Sequence, residues 1–311
     1  MHVVFGAGPL GLAVVRELLT RRRPVRLATR TGRAIVSAGL DMVTMVTADA
    51  SDPTAVRRAC QGAAVAYHCA NAPYHLWPAR LPAMMAGIID GVASVGARLV
   101  YGDNLYMYGR SAGPLTEDLP YRAAGPNGRT RAVVATTLMD AHAAGKVRAV
   151  IGRGSDFFGP HVRQSTVGER VFIPALTRRA AQVLGDPALP HTYTFIDDFA
   201  RALVTLGERD EALGGVWHVP SAETSTTHAF LEVVFEEAGA LLKMAVLPEW
   251  TIGLLGVVVP TMRALAEQRY QRVEPFVVDH GKYGRAFGAI VTRHRDAIRQ
   301  TLEWYRTQIG R

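Results

Sequence analysis

The chain has 311 residues, is 49% hydrophobic and 20% charged, and carries a formal net charge of +8, an ordinary globular composition that excludes a disordered chain and suffices for one large α/β domain or two smaller ones. Its 2 cysteines, Cys60 and Cys69, and its 10 histidines without zinc-type spacing exclude a disulfide framework and a metal site. The positive charge is scattered (Arg21-Arg22-Arg23, Arg57-Arg58, Arg178-Arg179) with no basic stripe interleaved with aromatics, so no nucleic-acid partner is expected.

Taken in order, "HVVFGAG" reads as a buried strand running into a glycine turn, followed by an amphipathic helix over 9–22 whose three closing arginines read as a solvated end facing the helix dipole. "VRLATR", "MVTMVTADA" and "AAVAYHCA" read as strands two to four, with short helices near 33–38 and 53–60, the latter with Pro53 in its first turn. A longer helix over about 78–96 carries the apolar stripe Leu81, Met84, Met85, Ile88, Val92 and Val95. "ARLVYG" is strand five. After the loop "GPNGRTRA" (125–132) comes a helix with its stripe at Val133, Thr137, Leu138 and Ala141, then "KVRAVIG" as strand six. Strands alternating with helices specify a doubly wound parallel sheet, the Rossmann arrangement.

Beyond about 160 the pattern loosens. "HTYTFIDD" reads as a strand and "DFARALVTLGER" as a helix. "VWHVP" reads as a short strand, and "TTHAFLEVVFEEAG", 249–268 and 292–309 as helices. The expected organisation is a nucleotide-binding domain over 1–160, to which 191–215 contributes back, and a smaller, mainly substrate-binding lobe over 161–311 that ends in a helix. No leader is expected ahead of the first strand, and "TIGLLGVVVP" (251–260) is too short to span a bilayer and reads as a core helix. These features point to a cytoplasmic monomer or homodimer with a small-molecule partner and no membrane contact.

The first strand and helix flank Gly6-x-Gly8-x-x-Gly11. In that setting the glycines allow a tight turn, close approach of a pyrophosphate and helix–strand packing, so Gly6, Gly8, Pro9, Leu10 and Gly11 are assigned to a dinucleotide. An NAD-preferring site would place Asp or Glu at the end of strand two. Here stand Ala28-Thr29-Arg30, then Arg33. A guanidinium grips a 2′-phosphate bidentately, so NADP is expected rather than NAD.

Further pieces follow in order: "ADASDP" (48–53), "CANAP" (69–73), "LYMYG" (105–109), "LTEDLP" (115–120), "GRGSDFFGP" (152–160), "TYTFIDDFARALV" (192–204) and "VWHVP" (216–220). This ordered set, covering nearly the whole chain, resembles the extended short-chain dehydrogenase/reductase superfamily, the NAD-dependent epimerase/dehydratase group. The resemblance implies that Asp49, with Ala50, holds the adenine, that Ala70, Asn71 and Ala72 lie under the cofactor, and that Ser155, Phe157 and Phe158 lie against the nicotinamide. It also implies a Tyr-x-x-x-Lys pair at the start of the helix after strand five. Those places hold Asn127 and Arg131, and the family's serine becomes Asn104, so the standard triad is replaced as in atypical members. An amide is neither a useful acid nor a useful base, so the family mechanism does not carry over unchanged.

Candidates for the missing proton donor stand in "GDNLYMYG": Tyr106 foremost, with Asp103 and Asn104 as base and hydrogen-bond donor. Arg131 is expected to hold the nicotinamide ribose and to lower the Tyr106 pKa. Tyr74, His75, Trp77, Tyr106, Phe157, Phe158 and His161 are named as pocket walls, and their aromatic character points to a small apolar or ring-bearing substrate. Arg163, Arg178 and Arg179 keep a sugar nucleotide open. The leading expectation is an NADP-dependent oxidoreductase acting on a carbonyl or hydroxyl group. The alternatives are a non-catalytic NADP-binding sensor or scaffold, and a non-redox isomerase, cyclase or dehydratase.

Overall fold

A computed structural model describes residues 1–33, 42–247 and 266–309. Six strands, β1 (His2–Phe5), β2 (Val25–Thr29), β3 (Thr44–Thr47), β4 (Val65–His68), β5 (Arg98–Asp103) and β6 (Arg148–Arg153), are joined by helices α1 (Pro9–Thr20), α2 (Pro53–Ala59), α3 (Trp77–Ala93) and α4 (Pro126–Ala143). The later chain adds β7 (Asp156–Phe158), α5 (Glu169–Leu176), β8 (Ala181–Leu184), β9 (Pro190–His191), β10 (Tyr193–Phe195), α6 (Ile196–Glu208) and β11 (Val216–His218). It then forms β12 (Ser225–Thr226), α7 (Thr227–Glu237), β13 (Met244–Leu247), α8 (Tyr270–Val273), α9 (Gly281–Phe287) and α10 (His294–Ile309). The helices expected near 33–38 and 249–268, the second including "TIGLLGVVVP", fall almost wholly outside the described residues.

The main sheet runs β11-β6-β5-β4-β1-β2-β3, and every pairing in it is parallel. Its strands are buried on both faces, which is why they read as continuous apolar runs. One face packs α2, α3 and α4 through Val56, Leu81, Met85, Ile88 and Leu138. The other packs α1 and α6 through Val14, Leu18, Leu203 and Leu206. The segment returning from the second lobe extends three residues past 215, because β11 pairs with β6 in register Val216↔Ile151 to His218↔Arg153.

The second lobe has its own core of Phe158, Phe172, Phe230, Phe235 and Tyr305 under three two-stranded ribbons. "HTYTFIDD" is not one strand. β9 pairs antiparallel with β12, β10 pairs parallel with β7, and between them Thr192 bonds through its backbone to Phe276 and through its side chain to Val278. Nor are Arg21 and Arg23, two of the three arginines after α1, simply solvated. Arg21 pairs with Glu17 at 2.7 Å and with Glu208 at 2.8 Å, and Arg23 pairs with Glu208 at 2.9 Å, tying α1 to the end of α6. No helix among the described residues is long and apolar enough to cross a membrane, and no described cluster could hold a metal ion.

Candidate functional site

Strand order reverses between β1 and β4, and a crevice opens there beyond the carboxyl ends of the strands. It is a cavity of about 1330 Å³. The glycine loop forms one end. A Cβ on Gly11 would lie 1.9 Å from the Gly6 carbonyl oxygen, so only glycine lets α1 start against β1. A Cβ on Gly8 would meet no protein atom within 4 Å, so the space before it is open to a ligand. Gly6, Gly8, Pro9 and Leu10 line the cavity, whereas Gly11 lies behind it as a packing residue. The residues present therefore fit a dinucleotide: the free amino end of α1 would hold the pyrophosphate, and open space lies in front of it.

At the β2 edge, Arg30 lines the cavity and is exposed. Asp49 takes the Ser51 hydroxyl at 2.7 Å and the Ser51 backbone at 2.9 Å. Those bonds foremost, opposed by burial and helped by the charges of Arg30 and Arg80, hold its carboxyl below the usual range. Arg80, on the first turn of α3, also lines the cavity and was missed from the sequence. Its signal was a cation one helical turn after Trp77, facing "ADAS". Ala50, Ala70, Asn71 and Ala72 line the floor. Cys69 joins them, but burial pushes its thiol up to about 12, as for Cys60, so neither is a ready nucleophile.

The centre of the site is built on a buried charge chain. Arg131, on α4, donates to Tyr101 Oη at 2.5 Å, to Asp103 Oδ1 at 3.2 Å and to Asn71 Oδ1 at 3.3 Å. Its Cζ lies 4.0 Å from the ring centre of Trp77. Burial disfavours its charge, but Tyr101 and Asp103 outweigh burial and raise its pKa. The other Asp103 oxygen lies 3.5 Å from Nε of Arg153, a fully buried side chain the sequence reading did not single out. Arg153 donates to Tyr108 Oη at 2.6 Å and to Tyr121 Oη at 2.5 Å, and Tyr108 Oη lies 2.9 Å from Nε2 of His218. Asp103 thus balances two guanidinium groups and is not a spare base. Tyr108 is a link in this chain and does not line the cavity.

Asn127 does not line the cavity either. Its side chain is buried, Nδ2 has no hydrogen-bond partner among the described residues, and its backbone N–H donates to Glu267 at 3.0 Å. The phenols lie elsewhere. Tyr106 Oη is 3.1 Å from Tyr74 Oη. Tyr74 stacks on Trp77 at 4.5 Å, and Trp77 packs on Tyr106 at 5.9 Å while donating to the Ala72 carbonyl at 2.8 Å. Asn104 accepts from the Tyr106 N–H at 3.1 Å and so shapes the short helical turn Tyr106–Tyr108. The expectation that Arg131 lowers the Tyr106 pKa is overturned: its N–H groups go to other partners, and burial raises Tyr106 well above its ordinary value.

Tyr74, Trp77, Tyr106, Ser155 and Phe157 line the cavity, but three expected walls do not. His75 points to solvent from its helical turn. Phe158 is fully buried among Phe172, Phe195 and Phe230. His161 packs against Trp304 with ring centres 4.9 Å apart and does not line the cleft. Nor are the walls mainly aromatic. Asp156, Arg163, Thr166, Arg170, Gln182, Gln271 and Arg272 form the far side. They come from chain beyond 155 that folds back over the cleft, a return that strand periodicity cannot place.

This fold and crevice define a dinucleotide-binding α/β protein. The model of the NAD dependent epimerase/dehydratase family matches residues 2–219, and the chain belongs to that family. No curated protein sequence matches it. Among solved structures it resembles the dTDP-glucose 4,6-dehydratase of Streptomyces venezuelae with NAD bound (TM-score 0.80, 19% identity, covering 100% of this chain and 98% of that one). It also resembles the UDP-N-acetylglucosamine 4-epimerase of Methanobrevibacter ruminantium in complex with UDP-N-acetylmuramic acid (0.81, 15%, 99% and 98%). A third is the UDP-glucose 4-epimerase of Thermus thermophilus with NAD (0.75, 21%, 98% and 99%). At these identities the likeness is one of fold.

Proposed function

We propose that the chain is an NADP-dependent oxidoreductase acting on a small carbonyl or hydroxyl compound, with the standard triad replaced by Asn104, Asn127 and Arg131. The observation that supports it best is the continuity of one cavity from the glycine loop to Tyr106. Bound NADPH supplies hydride. Tyr106, kept protonated by burial, gives its proton to the carbonyl oxygen as negative charge develops there, and Tyr74 at 3.1 Å holds the phenol in place. Arg131, fixed by Tyr101, Asp103 and Asn71, adds an immobile positive charge beside the floor of the cleft. The ring or apolar side of the substrate packs on Trp77 and Phe157.

NADP preference rests on the absence of a carboxylate at the end of β2 and on Arg30, with Arg80 beside Asp49. Losing one charge-assisted phosphate contact costs about 1.5–3 kcal/mol, or roughly ten- to hundredfold in affinity. Titration calorimetry should show tighter binding of NADPH than NADH, and Arg30→Ala should erase most of the difference. Equal wild-type affinities would refute the preference.

A second reading, a non-catalytic NADP-binding sensor, is favoured by one observation: the guanidinium at the family's lysine place is already engaged by three protein partners. Turnover separates the two.

A further inference from the structure

The cavity that Tyr106 lines also carries a carboxylate to which the proposed chemistry gives no task. Asp156 opens β7, sits opposite Tyr193 of β10 and lines the cavity with its side chain 16% exposed. Its Oδ2 accepts the Thr166 hydroxyl at 3.0 Å and lies 3.3 Å from Nε2 of His191. That imidazole stays behind the wall, against Tyr193 at 4.5 Å and Phe276 at 5.2 Å. One carboxylate oxygen is therefore anchored from behind, and no hydrogen bond among the described residues engages Oδ1.

Burial alone would raise this carboxyl, but His191 and Thr166, helped by the charge of Arg272, hold it below the usual range. Burial foremost, and the Asp156 charge with it, pushes Tyr106 and Tyr74 up. Gln182, Gln271 and Arg272 border it on the same side. A carboxylate kept charged in a largely desolvated wall, with an oxygen left over, is satisfied only by a donor arriving from the cavity. A purely structural tie to Thr166 would need no charge.

We infer that Asp156 sets the substrate class: its Oδ1 accepts a hydrogen bond from a hydroxyl or ammonium group of a substrate whose carbonyl oxygen meets Tyr106. The inference rests on the oxidoreductase reading for which end of the substrate reacts. It shifts the expected substrate from an apolar ring to a ring or short chain with a donor group across from its carbonyl.

The test compares cyclohexanone with its hydroxylated counterpart and with the piperidone whose ring nitrogen, an ammonium at neutral pH, lies across the ring from the carbonyl. Two readouts run in parallel: NADPH oxidation, and the melting temperature of the protein–NADP complex with each ketone added. The donor-bearing ketones should exceed cyclohexanone about ten- to hundredfold in kcat/KM and shift melting more. Asp156→Asn, which keeps size and an acceptor for Thr166, should remove the preference for the piperidone. Equal responses to the three ketones in the wild type would overturn the inference while leaving the oxidoreductase reading intact. A preference for the piperidone that survives in folded Asp156→Asn would do the same. A melting preference abolished by Asp156→Asn, with no NADPH consumed by any ketone, would support the Asp156 role and overturn the redox reading. Thr166→Val, which keeps the carboxylate, should retain the preference.

Discussion

Asn127, Tyr106 and Tyr108 behave differently, and each difference is measurable. Asn127 is sealed behind the cavity, so Asn127→Ala should leave the chemical step nearly unchanged. A loss of several orders of magnitude in kcat with KM unchanged would place that amide in the mechanism after all. Tyr106→Phe keeps the ring and its contact with Trp77 but removes the hydroxyl beside Tyr74. Single-turnover hydride transfer should fall by roughly 10²–10⁴-fold with NADPH affinity unchanged; an undiminished rate would move proton donation to water or to another group. Tyr108→Phe is the contrast. Its hydroxyl joins Arg153 to His218, so the change should lower stability by about 1–3 kcal/mol in urea titration, with little effect on hydride transfer. These roles were only partly readable from residue types. Tyr106 and Tyr108 stand two apart in "LYMYG", and only the fold decides which faces the cleft and which the buried charge chain.

At the scale of elements, α4 shows where a periodic reading slips. The stripe expected at Val133, Thr137, Leu138 and Ala141 holds at Leu138 and Ala141 but not at the other two places: Val133 is 54% exposed and Thr137 is exposed, while Val134 and Ala135 pack in the core beside Leu138. The buried face of this helix is partly polar, carrying Asn127, Thr130 and Arg131, so apolar spacing alone could not orient it. Helices α1, α3, α6 and α7, with conventional apolar faces, lie close to where their patterns put them. Position 128 couples α4 to the site. A Cβ on Gly128 would fall 2.7 Å from the Tyr106 carbonyl oxygen and 2.4 Å from Ala123 Cβ. Gly128→Ala should therefore push the Tyr106 turn away from α4, lowering stability by about 1–3 kcal/mol and hydride transfer with it. Urea titration and single-turnover rates at wild-type values would show that the turn yields freely.

For the whole molecule, the parallel sheet could be read from alternating apolar runs and helices, and the glycine loop from its place between β1 and α1. The polar far wall could not, because it comes from segments distant in sequence that meet only over the finished sheet. The buried imidazoles add a global property. Burial lowers His68 to about 3 and His218 to about 4, from an ordinary 6.5. Between pH 6.5 and about 4 the unfolded chain binds protons that the folded one does not, so stability is present above 6.5 and is lost as pH falls. Each imidazole adds a slope of about 1.4 kcal/mol per pH unit across that window. Urea midpoints should drop from pH 7.5 to pH 5, and a flat profile would contradict two neutral buried histidines.

The central claim, that the cleft joins a dinucleotide to proton donation from Tyr106 in a redox reaction, is tested most directly by isotope transfer. NADPH deuterated at the hydride-giving carbon is incubated with the protein and the ketone panel, and the alcohol products are examined by mass spectrometry. The account predicts one deuterium on the carbinol carbon, at a rate cut by roughly 10²–10⁴-fold in Tyr106→Phe. Tight NADPH binding with no deuterium in any product would contradict it.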